Sequence, residues 1–475
     1  SNRGAFSFER KNILWQNECD MNSAATMFEF VSFSLDPSKK RVVFKYKTEF
    51  EDRKSLSFTE TIILPKGKNN IPVKTLKKLL ESLHIVLGIS YYKLYCATNI
   101  KLPYKLSKKE AQFWNTVYQK GLGEFFYKNN LDPDIAPQFP YSAITPETPI
   151  KNKRANNRCL VMVGGGKDSI VSLELLKEDG FDVTGFSVET NKEYELVKEV
   201  IKTAGINSLT VERHLDPKVF DKHLYNGHVP VSAIYAFLGI LNALLHDYSY
   251  VVASNEYSSS FGNTIYKGLE INHQWSKSFE FEQLFKDYVS NFITKDVTYF
   301  SLLRPFYEIR IVKMFAKHKK YFPVFSSCNR NFAFNKDHVG LWCCECAKCV
   351  FAFTLLSAFL GRKELVEIFD KNLYQDEDLL PLFKDILGLG TAKPFDCVGT
   401  FGEAQTALHM AQEKFADDFI MAQLSGPTAP SAVRHAKEVF KTNKESLVPA
   451  AFSLLGMENA LILGYGREGK VTFQD

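Results

Sequence analysis

Hydrophobic and polar positions alternate along the first part of the chain and then take on helical spacing. The alternation runs from about residue 27 to 64, as in Arg41-Val-Val-Phe-Lys-Tyr-Lys47, and Asp36-Pro-Ser38 interrupts it. A period of two predicts a β-hairpin, extended by a strand at residues 59–64. Apolar residues at helical spacing predict helices at 73–87 and 108–127. We therefore expect a small α+β domain over residues 1–152.

From residue 157 short apolar runs alternate with helical segments. The runs predict strands at residues 159–163, 182–188, 208–211 and 248–253, and the intervening spacing predicts helices at 169–177, 194–204 and 229–246. Such alternation is typical of parallel strands joined by right-handed crossovers. The expected fold class is α/β with a doubly wound parallel sheet, in a domain over residues 153–360. A mainly helical region is expected over residues 361–475.

Three consecutive glycines join the first of these strands to its helix, in Gly164-Gly-Gly-Lys-Asp-Ser169. Glycine lets a ligand approach the main chain closely, and the N–H groups of such a loop and helix start can bind phosphate. Lys167 would add charge, Ser169 a hydroxyl, and Asp168 a helix cap or a carboxylate for Mg²⁺. The order of residues excludes a Walker loop, in which Ser or Thr would follow Lys167 directly. A dinucleotide-binding motif is a weaker match, because it has glycine or alanine at the position of Ser169. A plain glycine-rich turn is the alternative.

Polar segments follow several of the predicted strands. Ligands of doubly wound sheets bind beyond the carboxyl ends of the strands, so residues 164–169, 187–189 and 254–258 should share one rim. His228, at the start of a long apolar helix, is a cap, a core residue or a substrate contact, whereas the stretch from Asn272 to Lys277 is a solvated loop or an anion site. The candidate substrate ligands are His228, Asn255, Ser258, Asn272, Gln274, Ser276 and Lys277.

Four of the nine cysteines have the spacing of a metal site. Cys343, Cys346 and Cys349 are separated by two residues each, and Cys328 lies upstream. Four thiolates complete a tetrahedral zinc site and leave no position for water, so a structural zinc site is expected. An iron–sulfur cluster is the alternative. Cys397 stands apart, beside Asp396, and a buried structural cysteine is its commoner role.

Composition limits the partners. The net charge of +5 over 475 residues includes no dense Lys/Arg block, so no nucleic-acid partner is expected. The longest apolar run, residues 229–245, is too short to span a bilayer, and no membrane insertion is expected. The first residues lack the pattern of an export signal, which favours a cytoplasmic location. The oligomeric state is not predicted.

The glycine loop resembles that of the N-type ATP pyrophosphatases, the PP-loop enzymes, with Gly164 where that family usually has serine. The resemblance implies binding of ATP and Mg²⁺ by Gly164, Gly165, Gly166, Lys167, Asp168 and Ser169, with an adenine contact near Val188. A PP-loop followed by four cysteines is also similar to the 7-cyano-7-deazaguanine synthases, as are Val229-Pro230 and, more loosely, Asn255-Glu-Tyr-Ser258.

A fuller resemblance, over residues 27 to 403, is to the MurL family of UDP-N-acetylmuramoyl-L-alanyl-L-glutamate epimerases. The similar segments are Gly88-Ile-Ser-Tyr-Tyr-Lys93, Gly121-Leu-Gly-Glu-Phe125, the glycine loop, Ser254-Asn-Glu256, Asn272-His-Gln274, Trp342-Cys343, Cys346-Ala-Lys-Cys349 and Lys393-Pro-Phe-Asp-Cys-Val-Gly399. It implies conversion of the terminal L-Glu of UDP-MurNAc-L-Ala-L-Glu to D-Glu through an acyl-adenylate, with release of AMP and pyrophosphate.

Under this resemblance the catalytic candidates are Lys167, Asp168, Glu256, His273 and Cys397, and the sequence assigns a base to neither face of the glutamate. Two other functions remain open. One is a different PP-loop adenylating enzyme, such as an amide- or nitrile-forming ligase that uses ammonia. The other is a nucleotide sensor that binds ATP without turnover.

Overall fold

The computed structural model describes residues 24–38, 40–67, 71–153, 155–332, 340–391, 393–452, 463–465 and 471–473. Its strands are β1 (Ala25–Asp36), β2 (Arg41–Phe50), β3 (Leu56–Ile63), β4 (Asn99–Lys101), β5 (Arg158–Met162), β6 (Asp182–Thr190), β7 (Asn207–His214), β8 (Tyr250–Ala253), β9 (Thr264–Tyr266), β10 (Leu269–Ile271), β11 (Thr298–Ser301), β12 (Leu463–Tyr465) and β13 (Val471–Phe473).

The helices begin and end close to helical patterns in the sequence. They are α1 (Val73–Tyr92), α2 (Lys108–Gly121), α3 (Gly123–Lys128), α4 (Lys167–Glu178), α5 (Glu195–Ala204), α6 (Val231–His246), α7 (Phe279–Tyr288), α8 (Glu308–Phe315), α9 (Ala347–Ser357), α10 (Arg362–Phe369), α11 (Leu380–Ile386), α12 (Phe401–Phe415) and α13 (Phe419–Val439). Ser107 and Glu110 cap α2 reciprocally, and Thr400 and Glu403 do the same for α12.

One nine-stranded sheet organises the described part of the chain, in the order β11-β8-β5-β6-β7-β3-β2-β1-β4. The five strands from β11 to β7 are parallel, and among them β5 comes first in the sequence, β6 and β7 lie on one side of it, and β8 and β11 on the other. This is the doubly wound order, and it reverses between β5 and β8. The prediction of a parallel-rich α/β sheet is confirmed.

The N-terminal strands continue this same sheet. Thr61, Ile62 and Ile63 of β3 pair antiparallel with β7, and β2 and β1 follow as an antiparallel meander. The sheet is thus continuous across the predicted domain boundary at residue 152. The division into three domains stays a prediction.

The two faces of the sheet are covered by different helices. Cys159 and Val161 of β5 pack against α4, α5, α8 and α9, whereas Leu160 packs against α1 and α6 on the other face. Alternate side chains of a strand point to opposite faces, so a central strand with helices on both sides is apolar at nearly every position. This explains the unbroken apolar run at residues 159–163.

The predicted elements correspond to observed ones with small shifts, apart from one helix. The pattern predicted for residues 108–127 divides into α2 and α3 at Leu122, which adopts a non-helical conformation. Among the described residues, no helix combines the length and the apolar character that crossing a bilayer requires.

Candidate functional site

A cleft of about 640 Å³ opens at the carboxyl ends of the parallel strands. Its wall includes the loop after β5, the end of β6 and the segment that follows β8, from Ser254 to Glu256. These segments flank the point between β5 and β8 where the strand order reverses, which is where doubly wound sheets bind their ligands. Part of each predicted rim segment therefore lines this cleft, including Val188 and Asn255.

The glycine loop is held open towards this cleft. Gly165 has a φ of +81°, and a Cβ on it would lie 2.8 Å from Leu196 Cγ. Gly166 precedes the first turn of α4, and the main chain of Ser326 donates a hydrogen bond to the Gly165 carbonyl. Gly164, Gly166 and the first turn of α4 line the cleft, and main-chain N–H groups of such loops and helix starts are of the kind that binds anions.

Gly164 differs from Gly165 in the space around it. Apart from its two chain neighbours, no described residue has an atom within 4 Å of the position that a Cβ would take on Gly164, whereas Gly165 has both a positive φ and a close neighbour. We expect Gly164→Ser to fold normally and to keep ATP affinity within a few-fold, because an added hydroxyl is a potential phosphate donor. Gly165→Ser should weaken ATP binding at least tenfold. Titration with ATP and thermal melts of both variants test this, and equal affinities for ATP would contradict it.

Lys167 lies away from the cleft. Its side chain is 3% exposed, and Nζ donates to Asp168 Oδ1 at 2.8 Å and to Glu308 Oε1 at 2.5 Å. Burial raises the pKa of Glu308 to about 8, although the Lys167 ammonium acts in the opposite direction. In this arrangement Lys167 fixes the Asp168 carboxylate, and a direct contact of Lys167 with phosphate stays a prediction.

Two carboxyl groups, those of Asp168 and Glu256, face the cleft beside the glycine loop. Burial raises the pKa of Glu256, and so does the neighbouring charge of Asp168, while Lys277 lowers it. Two neighbouring carboxylates repel each other, and a divalent cation that binds to their oxygen atoms offsets this repulsion. The donor set therefore fits Mg²⁺ bound together with a phosphate chain.

Cys397 lies on the same cleft wall as Lys277. Lys277 Nζ donates to Cys397 Sγ at 3.4 Å, and His273 lies close enough to this thiol to lower its pKa. Burial alone would raise the pKa of Cys397, but Lys277, Lys348 and His273 outweigh it and hold the pKa well below the ordinary value. The commoner role of a buried inert cysteine does not describe this environment, because such a thiol has no cationic neighbours.

His273 joins Cys397 to a buried carboxylate. Its Nδ1 contacts Glu124 Oε2 at 2.5 Å. Burial lowers the pKa of His273, yet its bonds to Cys397 and Glu124 prevail and raise the pKa to about 9. The imidazole thus lies between the Cys397 thiol and the Glu124 carboxylate, an arrangement that favours its protonated form.

His228 completes a second group of side chains of metal-ligating types. Its ring lies beside the His273 ring and the Glu124 carboxylate, and the ligand atoms of all three lie within 4.8 Å of one another. Two ligands of one zinc ion stand about 3 Å or more apart, because each bond is about 2 Å long. The 2.5 Å contact between Glu124 and His273 is instead a charge-assisted hydrogen bond. Burial lowers the pKa of His228 to about 3, so this ring is neutral.

The predicted four-cysteine group is present. Cys328, Cys343, Cys346 and Cys349 bring their sulfur atoms within 4.8 Å of one another, and Cys349 Sγ lies 3.5 Å from Cys346 Sγ and 3.7 Å from Cys343 Sγ. Four thiolates at about 2.3 Å from a central ion have sulfur–sulfur separations of about 3.8 Å. The geometry is compatible with one structural zinc ion, and the identity of the metal stays a prediction.

Residues next to these cysteines line the cleft. Ser326, Ser327 and Asn329 flank Cys328, and Lys348 lies between Cys346 and Cys349 at the start of α9. The metal ligands thus belong to the segments that form one cleft wall and that place Lys348 near Cys397.

Replacement of one of the four cysteines tests whether the group binds a metal ion that stabilises the fold. We expect Cys346→Ser to lose bound metal and to lower the free energy of unfolding by more than about 4 kcal/mol, because loss of a metal is among the most destabilising changes. Cys344→Ser is the matched control, since Cys344 Sγ donates instead to the Phe369 carbonyl. Metal analysis and thermal melts of both variants measure the effect. Full metal content in Cys346→Ser would contradict the assignment.

Comparison with known proteins agrees with this geometry. The model of the MurL N-terminal domain matches residues 20–302, and that of the MurL C-terminal domain matches residues 324–439. The chain belongs to the MurL family. The UDP-N-acetyl-alpha-D-muramoyl-L-alanyl-L-glutamate epimerase of a Micromonospora species is 37% identical over 395 residues, which cover 82% of this chain and 87% of that protein.

Two further MurL relatives carry the same name. The protein of Salinispora tropica is 37% identical over 395 residues, which cover 82% of this chain and 85% of that protein. The protein of Xanthomonas oryzae pv. oryzae is 36% identical over 390 residues, which cover 80% of this chain and 84% of that protein.

Within this MurL chain the predicted substrate ligands fall into two groups. Asn255 and Lys277 lie on the cleft wall. Ser258, Asn272 and Gln274 are buried and bind other parts of the protein, namely Glu403 Oε1, the Ser259 carbonyl and the Val398 carbonyl. The Ser258 hydroxyl and the Asn272 amide N–H are thus used within the protein, whereas the buried Gln274 Oε1 has no hydrogen-bond partner among the described residues. Contact of these side chains with substrate stays a prediction. Ser276 is also buried, and His228 lies against His273.

Sequence patterns do not identify several of the residues that shape the site. Glu124 and Lys348 lie inside segments that resemble the MurL family, but neither has a motif of its own. Arg304 is fully buried, and its guanidinium donates to the carbonyls of Glu256 at 2.6 Å and Lys277 at 2.5 Å. An arginine within the apolar stretch Ser301-Leu-Leu-Arg-Pro305 was the available signal, since a buried arginine needs partners.

Proposed function

We propose that this protein inverts the terminal L-Glu of UDP-MurNAc-L-Ala-L-Glu to D-Glu in an ATP-dependent reaction that releases AMP and pyrophosphate. Family membership and the names of the relatives support the epimerase activity and its substrate. One observation supports the ATP dependence: residues of the glycine loop and of the first turn of α4 line a cleft at the carboxyl ends of the parallel strands, where such main-chain N–H groups bind phosphate.

The chemistry explains why an epimerase needs a phosphate site. The Cα–H of a free glutamate is very weakly acidic, because the carbanion would form beside a carboxylate that already carries a negative charge. Attack of this carboxylate on the α-phosphorus of ATP forms an acyl-adenylate, and the bond to pyrophosphate breaks. The adenylate no longer carries the carboxylate charge, so the Cα proton can be removed by a side chain.

The residues of the cleft fit this first step. The N–H groups of the glycine loop and of the first turn of α4 would bind the phosphate chain, with Val188 at the adenine end. Asp168 and Glu256 would hold Mg²⁺, which supplies charge stabilisation for the departing pyrophosphate. Lys277 and Lys348 add positive charge to the same wall. Water then hydrolyses the inverted adenylate and releases AMP.

The cleft also continues away from the glycine loop. Its volume of about 640 Å³ extends past the glycine loop to Ser90, Lys93 and Arg213 on the far side of β6. A nucleotide-linked precursor and ATP are both cytoplasmic metabolites, so we propose the cytoplasm as the site of action. We propose neither a nucleic-acid nor a membrane partner.

Isotope exchange tests the adenylation step. With Mg²⁺ and UDP-MurNAc-L-Ala-L-Glu present, the protein should transfer label from pyrophosphate into ATP, because adenylation is reversible. Without the dipeptide substrate, or with the L-Ala form that lacks glutamate, no label should enter ATP. Exchange that requires ammonia, or epimerisation without consumption of ATP, would contradict the proposal.

A further inference from the structure

The proposed epimerisation needs a group that accepts the Cα proton, and the cleft offers few candidates. Lys277 stays protonated, because although burial lowers its pKa, the neighbouring Cys397 and Glu256 raise it above the ordinary value. His273 is protonated as well, since it lies between Glu124 and Cys397. Asp168 and Glu256 face the phosphate end of the cleft. Lys93 also lines the cleft, and burial lowers its pKa to about 8, but its Nζ already donates to Asn226 Oδ1 and to the Gly227 carbonyl. Cys397 lies beside Lys277 on the cleft wall and has a free electron pair.

We propose that the Cys397 thiolate removes the Cα proton of the adenylated glutamate, and that Glu124 is a positioning residue that holds His273 as the cation paired with this thiolate. The proposal rests on the proposed function. Two contacts carry the arrangement: Glu124 Oε2 lies 2.5 Å from His273 Nδ1, and Lys277 Nζ donates to Cys397 Sγ at 3.4 Å. His273 stands between them, close enough to Cys397 for each group to shift the pKa of the other.

The proton transfer balances as follows. The Cα–H bond breaks as the S–H bond forms on Cys397, and the electron pair moves onto the acyl oxygen of the adenylate. A proton that comes from water reaches the opposite face and forms the new Cα–H bond. The thiol on Cys397 then loses its proton to water, and the thiolate is restored. The net change is inversion at Cα with exchange of one hydrogen for a solvent hydrogen.

The segment that carries Cys397 is fixed against the loop that carries His273 and Lys277. Asn263 Nδ2 donates to the Pro394 carbonyl at 2.8 Å, and Gln274 Nε2 donates to the Val398 carbonyl at 3.5 Å. These bonds lie on both sides of Cys397 in the sequence. A base held in this way does not need to be ordered again in each turnover, which favours proton transfer.

Serine replacement separates the two half-reactions. We expect Cys397→Ser to slow exchange of the Cα hydrogen with deuterium from D₂O by about 10²–10⁴-fold, the usual contribution of a general base. ATP–pyrophosphate exchange should stay within a few-fold of the wild type, because Cys397 takes no part in adenylation. Cys96→Ser is the matched control, since Cys96 is half-buried and bonded to the Lys93 carbonyl.

The outcomes distinguish this inference from the proposed function. Wild-type protein without substrate-dependent pyrophosphate exchange would overturn the proposed function. Normal pyrophosphate exchange together with undiminished Cα exchange in Cys397→Ser would overturn only the role of Cys397. Loss of both activities with a wild-type melting temperature would also overturn it, because it would place Cys397 in the adenylation step.

A pH profile tests the positioning role of Glu124. The charged and titratable groups around the pair are Glu124, Lys128, His228, His273, Lys277, Lys348 and Asp396. In Glu124→Gln, His273 loses its carboxylate partner and becomes neutral at lower pH, so the thiolate is less stabilised. The acid limb of the Cα-exchange rate should therefore move to higher pH. A uniform loss of rate with no shift of the limb would overturn this role.

Alkylation gives a measurement that is independent of turnover. With iodoacetamide at pH 6, Cys397 should react well before Cys96, because the thiolate is the nucleophile and an ordinary thiol has a pKa of about 8.5. Peptide mass spectrometry assigns the modified site. Reaction of Cys397 that rises only near the ordinary thiol pKa would overturn the thiolate assignment.

Discussion

Asp168→Asn is expected to lower substrate-dependent pyrophosphate release by at least about 100-fold, the scale on which a single preorganised electrostatic contact acts. Asp168 faces the cleft at the start of α4 and accepts a bond from the buried Lys167. The amide keeps the size of the side chain but removes the charge that would hold Mg²⁺ against the phosphates. The rate of pyrophosphate release under saturating substrates is the measurement.

The control for this variant lies at the other end of the same helix. Asp179 is exposed and ends α4, so Asp179→Asn changes the same chemistry without reaching the cleft. Both variants should melt within a few degrees of the wild type. An Asp168→Asn protein that releases pyrophosphate at the wild-type rate would exclude this carboxylate from the metal and phosphate site.

Replacement of Arg304 by methionine should produce the largest loss of stability outside the metal site. Arg304 Nε donates to Glu282 Oε2 at 2.9 Å, and both side chains are buried, at 0% and 1% exposure. Removal of one partner leaves the other as an unpaired buried charge, at a cost of about 3–5 kcal/mol. The loops of Glu256 and Lys277 also lose their common donor. Thermal melts and the epimerisation rate together measure both effects.

A second substitution separates charge from positioning. Adding Glu282→Gln to Arg304→Met removes the unpaired charge, so part of the lost melting temperature should return. Activity should stay low, because the carbonyls of Glu256 and Lys277 still lack their donor. Recovery of activity along with stability would show that Arg304 acts on the fold alone.

The parallel part of the fold was predictable because it depends on local patterns. The predicted strands from residue 159 to 253 are short segments between turn signals, and their alternation with helices predicts parallel pairing through right-handed crossovers. The pairing of β3 with β7 was not predictable in this way. It joins residues far apart in the chain, and nothing in the alternation at residues 56–63 specifies its partner strand.

The sequence predicts which types of residue form the site better than it predicts where their side chains point. The glycine loop and the cysteine group are short motifs whose chemistry can be recognised from neighbouring residues. The loop lines the cleft, and the four cysteines come together as expected. The direction of Lys167 depends on Glu308, which is 141 residues away, and the cationic surroundings of Cys397 depend on Lys277 and His273. Such contacts exist only after the chain has folded, so sequence spacing could not indicate them.

The stereochemistry of the recovered glutamate tests the central claim most directly. The protein is incubated with ATP, Mg²⁺ and UDP-MurNAc-L-Ala-L-Glu, the product is hydrolysed, and its glutamate is separated on a chiral column. We expect D-Glu to accumulate together with AMP and pyrophosphate, and to be absent when ATP is omitted. Glutamate that remains entirely L under conditions in which ATP binding is demonstrated would contradict the account.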